Sequence, residues 1–256
     1  MPLRLDYSGL KIDGQRAMER ICSFVASNVR ARRARGVTMV CRFETSSFVL
    51  ASTLVQALGA DRVLCLADAG GPGFPAIMQF RDRLGFGLEV VEADELVEVF
   101  EASTKSSPNK GQERRPVLRR RLLTVAAQSL AESSNLLVAV DVNRTELLIG
   151  AFDQRITSSC DLLPLAGLFR TQVDQVASVL DFESYGLTSS LTDGTSSRAG
   201  LGYPTLDLVL WGVVDQGMDR GKVASLLDIP AVAVNHVYHL HLLSESRRNF
   251  PPFPML

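Results

Sequence analysis

Two sets of residues in this sequence have the chemistry to handle a phosphate. The first is a polar turn, Cys41-Arg42-Phe43-Glu44-Thr45-Ser46-Ser47, placed between a short apolar run and a helical one. A strand-to-helix turn presents backbone N–H groups and the positive end of a helix dipole, which suits an anion. Glycine normally lets the backbone approach that anion closely. None of these seven residues is glycine, and Arg42 offers a side-chain charge instead. Ser46 and Ser47 suit either a helix cap or a ligand contact. The second set is arginine, dense at 30–35 and 114–121, where Arg119 and Arg121 stand two apart. Such runs read as solvated helix faces or as sites for phosphate or another acidic ligand.

Weaker signals lie elsewhere. His236, His239 and His241 cluster without a neighbouring cysteine or second carboxylate motif, which reads as partly buried or interface histidines rather than a metal site. Gly70-Gly71-Pro72-Gly73 lacks dinucleotide-loop spacing and reads as a turn at the sheet's carboxyl edge. Cys22, Cys41, Cys65 and Cys160 form no CxxC pair, and they read as reduced thiols of a cytosolic protein.

The elements that must position these residues follow from hydrophobic period. Helical spacing is expected over 13–35, with short buried strands at 37–41, 62–66, 87–91 and 136–140. Helices at 46–58 and 75–84 separate the first three strands, and a helix at 117–132 precedes the fourth. This alternation predicts an α/β fold, a doubly wound parallel sheet flanked by helices, with a helical C-terminal part. Helices are expected there at 165–180, 204–214, 219–227 and 231–246. The polar stretch 103–116 reads as a mobile loop, and 184–202 as a Ser/Thr/Gly-rich loop. The whole chain, 1–256, is expected to be one domain.

Bulk properties agree with a globular chain: 46% of residues are hydrophobic and 21% charged, enough for a sizeable core. The formal net charge of −1 supplies no global field to draw nucleic acid or an anionic membrane.

Four stretches in order carry a resemblance. VNRTELLIG (142–150) resembles the "NKSELLLG" of ammonia-dependent NAD synthetases, and CDLLPLAGLFRTQV (160–173) their "ADLNPIGDLYKTQV". LGYPTLD (201–207) resembles "LGYPYEELD", and SESRR (244–248) with Pro251-Pro252 resembles "SEHKRR…PP". The chain is identified as a divergent member of this family of PP-loop ATP pyrophosphatases. The resemblance implies an adenine nucleotide alpha hydrolase-like fold, a homodimer, and ATP with Mg²⁺ as cofactors. The family adenylates a carboxylate and lets ammonia displace AMP.

Matched position by position, Cys41 to Ser47 stand where the family carries SGGxDSS, so only Ser46 and Ser47 survive. Phe43 either projects into the phosphate space or turns inward as core. Glu146 matches a Mg²⁺-binding glutamate, Arg170 a phosphate-binding lysine, and Thr188 a hydroxyl residue. Arg119 and Arg121 match an RxR pair. Asp161, Arg247 and Arg248 are the candidates for the second, substrate-holding site. The family's "GT" is Val140-Asp141, and its "YGDGGAD" is 155–161, without the aromatic and the first aspartate.

These losses frame the expectations. The first is an ATP-dependent amide-forming ligase acting on a carboxylate other than the usual NAD precursor. The alternative is a catalytically silent paralogue that serves as a binding, regulatory or partner subunit. A third keeps the fold and uses Cys41 or Cys160 as a sulfur nucleophile.

Overall fold

The computed structural model describes residues 5–104, 115–180, 182, 195–196 and 198–249. The expected mobile loop falls largely outside these residues. The part of it that is described, at 103–104 and 115–116, is helical.

Four strands form one parallel sheet: β1 (Gly36–Val40), β2 (Val63–Asp68), β3 (Gly87–Val91) and β4 (Leu136–Val138), in the order β3-β2-β1-β4. Val37 pairs with Val63, Gly36 with Leu136, and Leu64 with Gly87. Helices α1 (Gly14–Ala31), α2 (Thr45–Leu58) and α3 (Phe74–Leu84) alternate with the first three strands. Two further helices, α4 (Ala93–Thr104) and α5 (Arg115–Ser134), lead into β4. Helix α4 had no expectation behind it, because its amphipathic face is narrow; only Ala93 and Val97 are buried.

The sheet is covered on both faces, as the alternating period requires. Val37 and Met39 of β1, with Val63, Cys65 and Ala67 of β2, enter one core with Phe48, Phe80 and Val173. Helix α5 packs against β1 and β4.

The remaining chain is helical: α6 (Arg144–Ile149), α7 (Gln154–Thr157), α8 (Arg170–Ala177), α9 (Tyr203–Leu210), α10 (Arg220–Leu227) and α11 (Ala231–Arg248). It builds a second core around Leu206, Leu210, Val223 and Val234. The helix expected over 165–180 is shorter, because Gln172 and Thr145 fix its first turn. Gln172 Oε1 accepts from the Phe169 N–H at 3.0 Å, and Thr145 Oγ1 from the Arg170 N–H at 2.8 Å. The helix expected over 204–214 begins at Tyr203 and passes into a π-helical turn at Trp211–Asp215. Within the expected 184–202 loop, β5 (Thr195–Ser196) pairs antiparallel with β6 (Leu201–Gly202); the rest lies mostly outside the described residues. No helix among the described residues is long and apolar enough to cross a membrane.

Candidate functional site

The turn after β1 is built from its own side chains. Glu44 takes the cap position of α2 without a side-chain capping bond. Ser46 and Ser47 therefore sit inside the first turn of α2, not before it as a cap would. Ser47 Oγ accepts from the Arg42 N–H at 2.9 Å, and Ser46 Oγ accepts from Asn143 Nδ2 at 3.5 Å. Both serines are buried, so their hydroxyls tie the loop to itself and to the start of α6. The Phe43 ring packs onto the core and still borders the cleft: it meets Phe48 edge-on, with centroids 6.0 Å apart, and covers Gly73 at the start of α3.

Arg42 points the other way. Its Nη2 donates to both oxygens of Asp141, at 2.9 and 3.1 Å, and its Nη1 reaches Glu44 at 2.5 Å. Burial alone would weaken this charge. Asp141, Glu44 and Glu146 outweigh it and hold the guanidinium above its ordinary value. Glu146 lies in the first turn of α6, where it forms a capping box with Asn143. Its Oε2 accepts from the Asn143 N–H at 2.9 Å. Burial, then repulsion from Asp141 and Glu44, raise the Glu146 carboxyl to about 7, against the Asn143 bond and Arg42.

These residues border a cleft at the carboxyl edge of β1 and β2, where open α/β sheets place ligands. One half, about 560 Å³, is walled by Phe43, Ile77, Val97 and Leu123. The other, about 610 Å³, is lined by six arginines: Arg42, Arg120, Arg121, Arg155, Arg198 and Arg247. Glu44, Glu146 and Asp153 are its carboxylates. Arg42, Glu44 and Arg120 belong to both halves.

The candidate residues separate into those at the cleft and those away from it. Arg119 lines the apolar half and pairs with Asp68 and with Asp94, the latter at 3.3 Å. Arg121 lines the arginine-rich half, with Nε 2.6 Å from Asp153. Arg247 lines it too; it stacks on Phe152 and donates to the Gly150 carbonyl at 2.6 Å. Arg170 lines neither half and is no surface cation. It is buried, paired with Asp174, and sits over the Tyr203 ring. Arg248 donates to the carbonyls that end α6, Leu147 and Leu148, both at 3.3 Å. Asp161 accepts from Arg32 at 2.5 Å and from the Val138 N–H at 2.9 Å, beside β4 and outside the cleft. Thr188 lies outside the described residues. His236 and His241 contact the carbonyls of Arg198 and Leu148.

The sequence did not single out Arg120, Arg198 or Asp141 as site residues. Arg120 is the middle of an arginine triplet, and only the rotation of α5 decides which member borders both halves of the cleft.

A magnesium ion requires several hard oxygen ligands. Asp141 gives both oxygens to Arg42, Glu44 gives one, and Glu146 gives one to the Asn143 N–H. No group of three or more His, Cys, Asp or Glu able to hold a metal occurs among the described residues. These side chains do not fit a magnesium site of their own, because Arg42 engages Asp141 and Glu44 and the Asn143 N–H engages Glu146.

The sequence pattern of the NAD synthase family matches residues 17–251. The ammonia-dependent NAD⁺ synthetase of Hyperthermus butylicus is 28% identical over 263 aligned residues, covering 98% of this chain and 92% of that protein. The corresponding enzyme of Thermococcus sibiricus is 27% identical, covering 95% of this chain and 98% of that protein. Among solved structures, the NMN synthetase of Francisella tularensis superposes with a TM-score of 0.78 at 18% identity, over 96% of this chain and all of that one. The ammonia-dependent NAD synthetase of Campylobacter jejuni gives the same TM-score at 16% identity and equal coverage. At such identities the superpositions establish the fold alone, an adenine nucleotide alpha hydrolase-like parallel sheet with helices on both faces. The match along nearly the whole sequence settles descent: the chain belongs to the NAD synthase family.

Proposed function

We propose that this protein is an ATP-dependent ligase that activates a carboxylate, releases pyrophosphate and forms an amide with ammonia or an amine. One observation carries the reading: an apolar half-cleft and an arginine-rich half-cleft meet at Arg42 and Arg120 on the carboxyl edge of the sheet. The apolar half suits the uncharged body of a nucleotide. The arginines suit the charge that develops on departing pyrophosphate. In this reading side-chain guanidinium groups do the work that glycine-rich backbone does in the relatives, and the SGGxDSS loop has degenerated.

The carboxylate we infer differs from the dinucleotide used by the named synthetases. Asp161, matched by resemblance to their substrate-holding stretch, is committed to Arg32 and the Val138 N–H.

The second reading, a catalytically silent paralogue, draws support from Arg42 itself. Its guanidinium is already engaged by Asp141 and Glu44. Calorimetric titration of ATP·Mg²⁺ separates the two, combined with a pyrophosphate-release assay. The assay uses ammonia with nicotinic-acid adenine dinucleotide and with a panel of other carboxylates. Turnover with another carboxylate supports the proposal, and turnover with the dinucleotide alone would correct its substrate. ATP binding without any turnover favours the silent reading. Absence of ATP binding sinks the ligase.

A further inference from the structure

Arg120 is the unusual charge in the cleft. Its neighbours on α5 are both held: Arg119 by Asp68 and Asp94, Arg121 by Asp153. Successive side chains on a helix point in different directions. Arg120 therefore takes the direction between its neighbours and borders both halves of the cleft. Among the described residues no ion pair or hydrogen bond from its guanidinium is present. Repulsion from Arg42, then burial, hold Arg120 below its ordinary guanidinium value, although Asp141, Glu44 and Glu146 pull the other way. Arginine stays charged nonetheless.

A half-buried cation without a partner, beside a second cation, costs folding energy. Such a group is expected where a ligand supplies the missing charge, because binding sites trade stability for function. A second orphan lies close by on the same helix. Arg119 Nη2, in the wall of the apolar half, is buried with no hydrogen-bond partner. One unpaired guanidinium and one unpaired nitrogen of its neighbour on the same cleft call for an anion with several acceptor oxygens, and a phosphate group has that geometry.

We propose that Arg120, backed by Arg42, is the anion-binding centre of the cleft and takes the phosphate or pyrophosphate group of an organic phosphate whose apolar body lies against Phe43, Ile77 and Leu123. The anion site thereby moves from the loop backbone to side chains of α5. The inference rests on the ligase reading for the identity of the phosphate, and on Arg120 for its position.

Inorganic pyrophosphate is the probe, titrated by calorimetry into the full-length protein, with melting temperature read in parallel. Wild type is expected to bind and to melt higher with pyrophosphate. Arg120→Gln is expected to lose about tenfold or more in affinity, the worth of a charge-assisted hydrogen bond. Without ligand it should melt no lower than wild type, since it removes an unpaired charge. Arg120→Lys, which keeps the charge without the planar fork, should fall between them. The proposal is overturned if wild type ignores pyrophosphate or if Arg120→Gln binds it as wild type does. A ligand-free Arg120→Gln that melts well below wild type would make Arg120 structural and overturn it too. Pyrophosphate binding without ATP turnover would remove the ligase reading and keep the site. Turnover unaffected in Arg120→Gln would do the reverse.

Discussion

Arg42 and Asp141 lie 99 positions apart and meet in a two-oxygen contact at 2.9 and 3.1 Å. Asp141 is only 5% exposed and the Arg42 side chain 22%. By resemblance, each stands where the relatives carry a different residue, a glycine and a threonine. Two departures thus neutralise one another, and together they fasten the loop after β1 to the segment entering α6.

Breaking one side of a buried pair leaves the other charge stranded. Asp141→Ala is expected to destabilise the protein by about 3 kcal/mol in guanidinium denaturation. Arg42→Gly combined with Asp141→Thr should cost clearly less than the sum of the single changes, because neither charge is then abandoned. Strict additivity would show that the contact is energetically idle.

Glu146 makes stability depend on pH. Its folded carboxyl titrates at about 7 against an ordinary 4.5, so the native state holds its proton more tightly than the unfolded chain. The unfolded chain releases that proton first as pH rises. The stability contributed by Glu146 is therefore fully present below 4.5 and is lost between there and 7. Glu146→Gln keeps an acceptor for the Asn143 N–H and removes the titration. Its advantage over wild type should grow across that window to about 3 kcal/mol. A constant difference between about pH 3.5 and about pH 8 would contradict this, those limits lying about one pH unit outside the two titrations.

Gly73 and Phe43 are matched in shape. Gly73 has φ 70°, and a Cβ there would lie 2.2 Å from Phe43 Cγ. Gly73→Ala should lower stability by about 2–4 kcal/mol, from the left-handed backbone and the clash together. In a Phe43→Gly background, which removes the Cβ 2.6 Å away as well as the ring, the clash disappears and about 1 kcal/mol of backbone strain remains. Melting temperatures of the four proteins test this, and equal losses in both backgrounds would place Phe43 elsewhere.

Asp207 is the buried joint beneath the site. It accepts from Thr145 Oγ1 at 2.6 Å and from the Thr171 N–H at 2.8 Å, joining α6, α8 and α9. Burial lifts its carboxyl to about 6, against bonds from Thr145 and Thr171 and the charge of Arg170. Asp207→Asn can satisfy only one of the two donors with its oxygen, and its amide faces the other. A loss of about 1–3 kcal/mol is expected in urea denaturation. An Asn variant as stable as wild type would mean that these helices are held by packing alone.

The local sequence determined the elements. Apolar strands at 37–41, 62–66, 87–91 and 136–140, separated by helical periods, were enough to specify a parallel sheet wound on both faces. Strand and helix periods are properties of neighbouring residues, so they can be read along a chain. The order of the late stretches around Glu146, Asp161, Asp207 and Arg247 likewise marked the family. Element ends were less legible. Helix α8 starts at Arg170 because Thr145 and Gln172 bind its first N–H groups, and Thr145 lies 25 residues away.

Only the tertiary structure decided the site. Ser46 and Ser47 turned inward, Arg170 was buried over the Tyr203 ring, and Asp161 left the cleft for β4. Arg120 rather than Arg119 or Arg121 became the unpaired cation. The reason is physical: a cleft is set by the phase of α5 and by contacts such as Arg42 to Asp141 across 99 residues. Charge in a sequence has a position but no partner until the chain has packed.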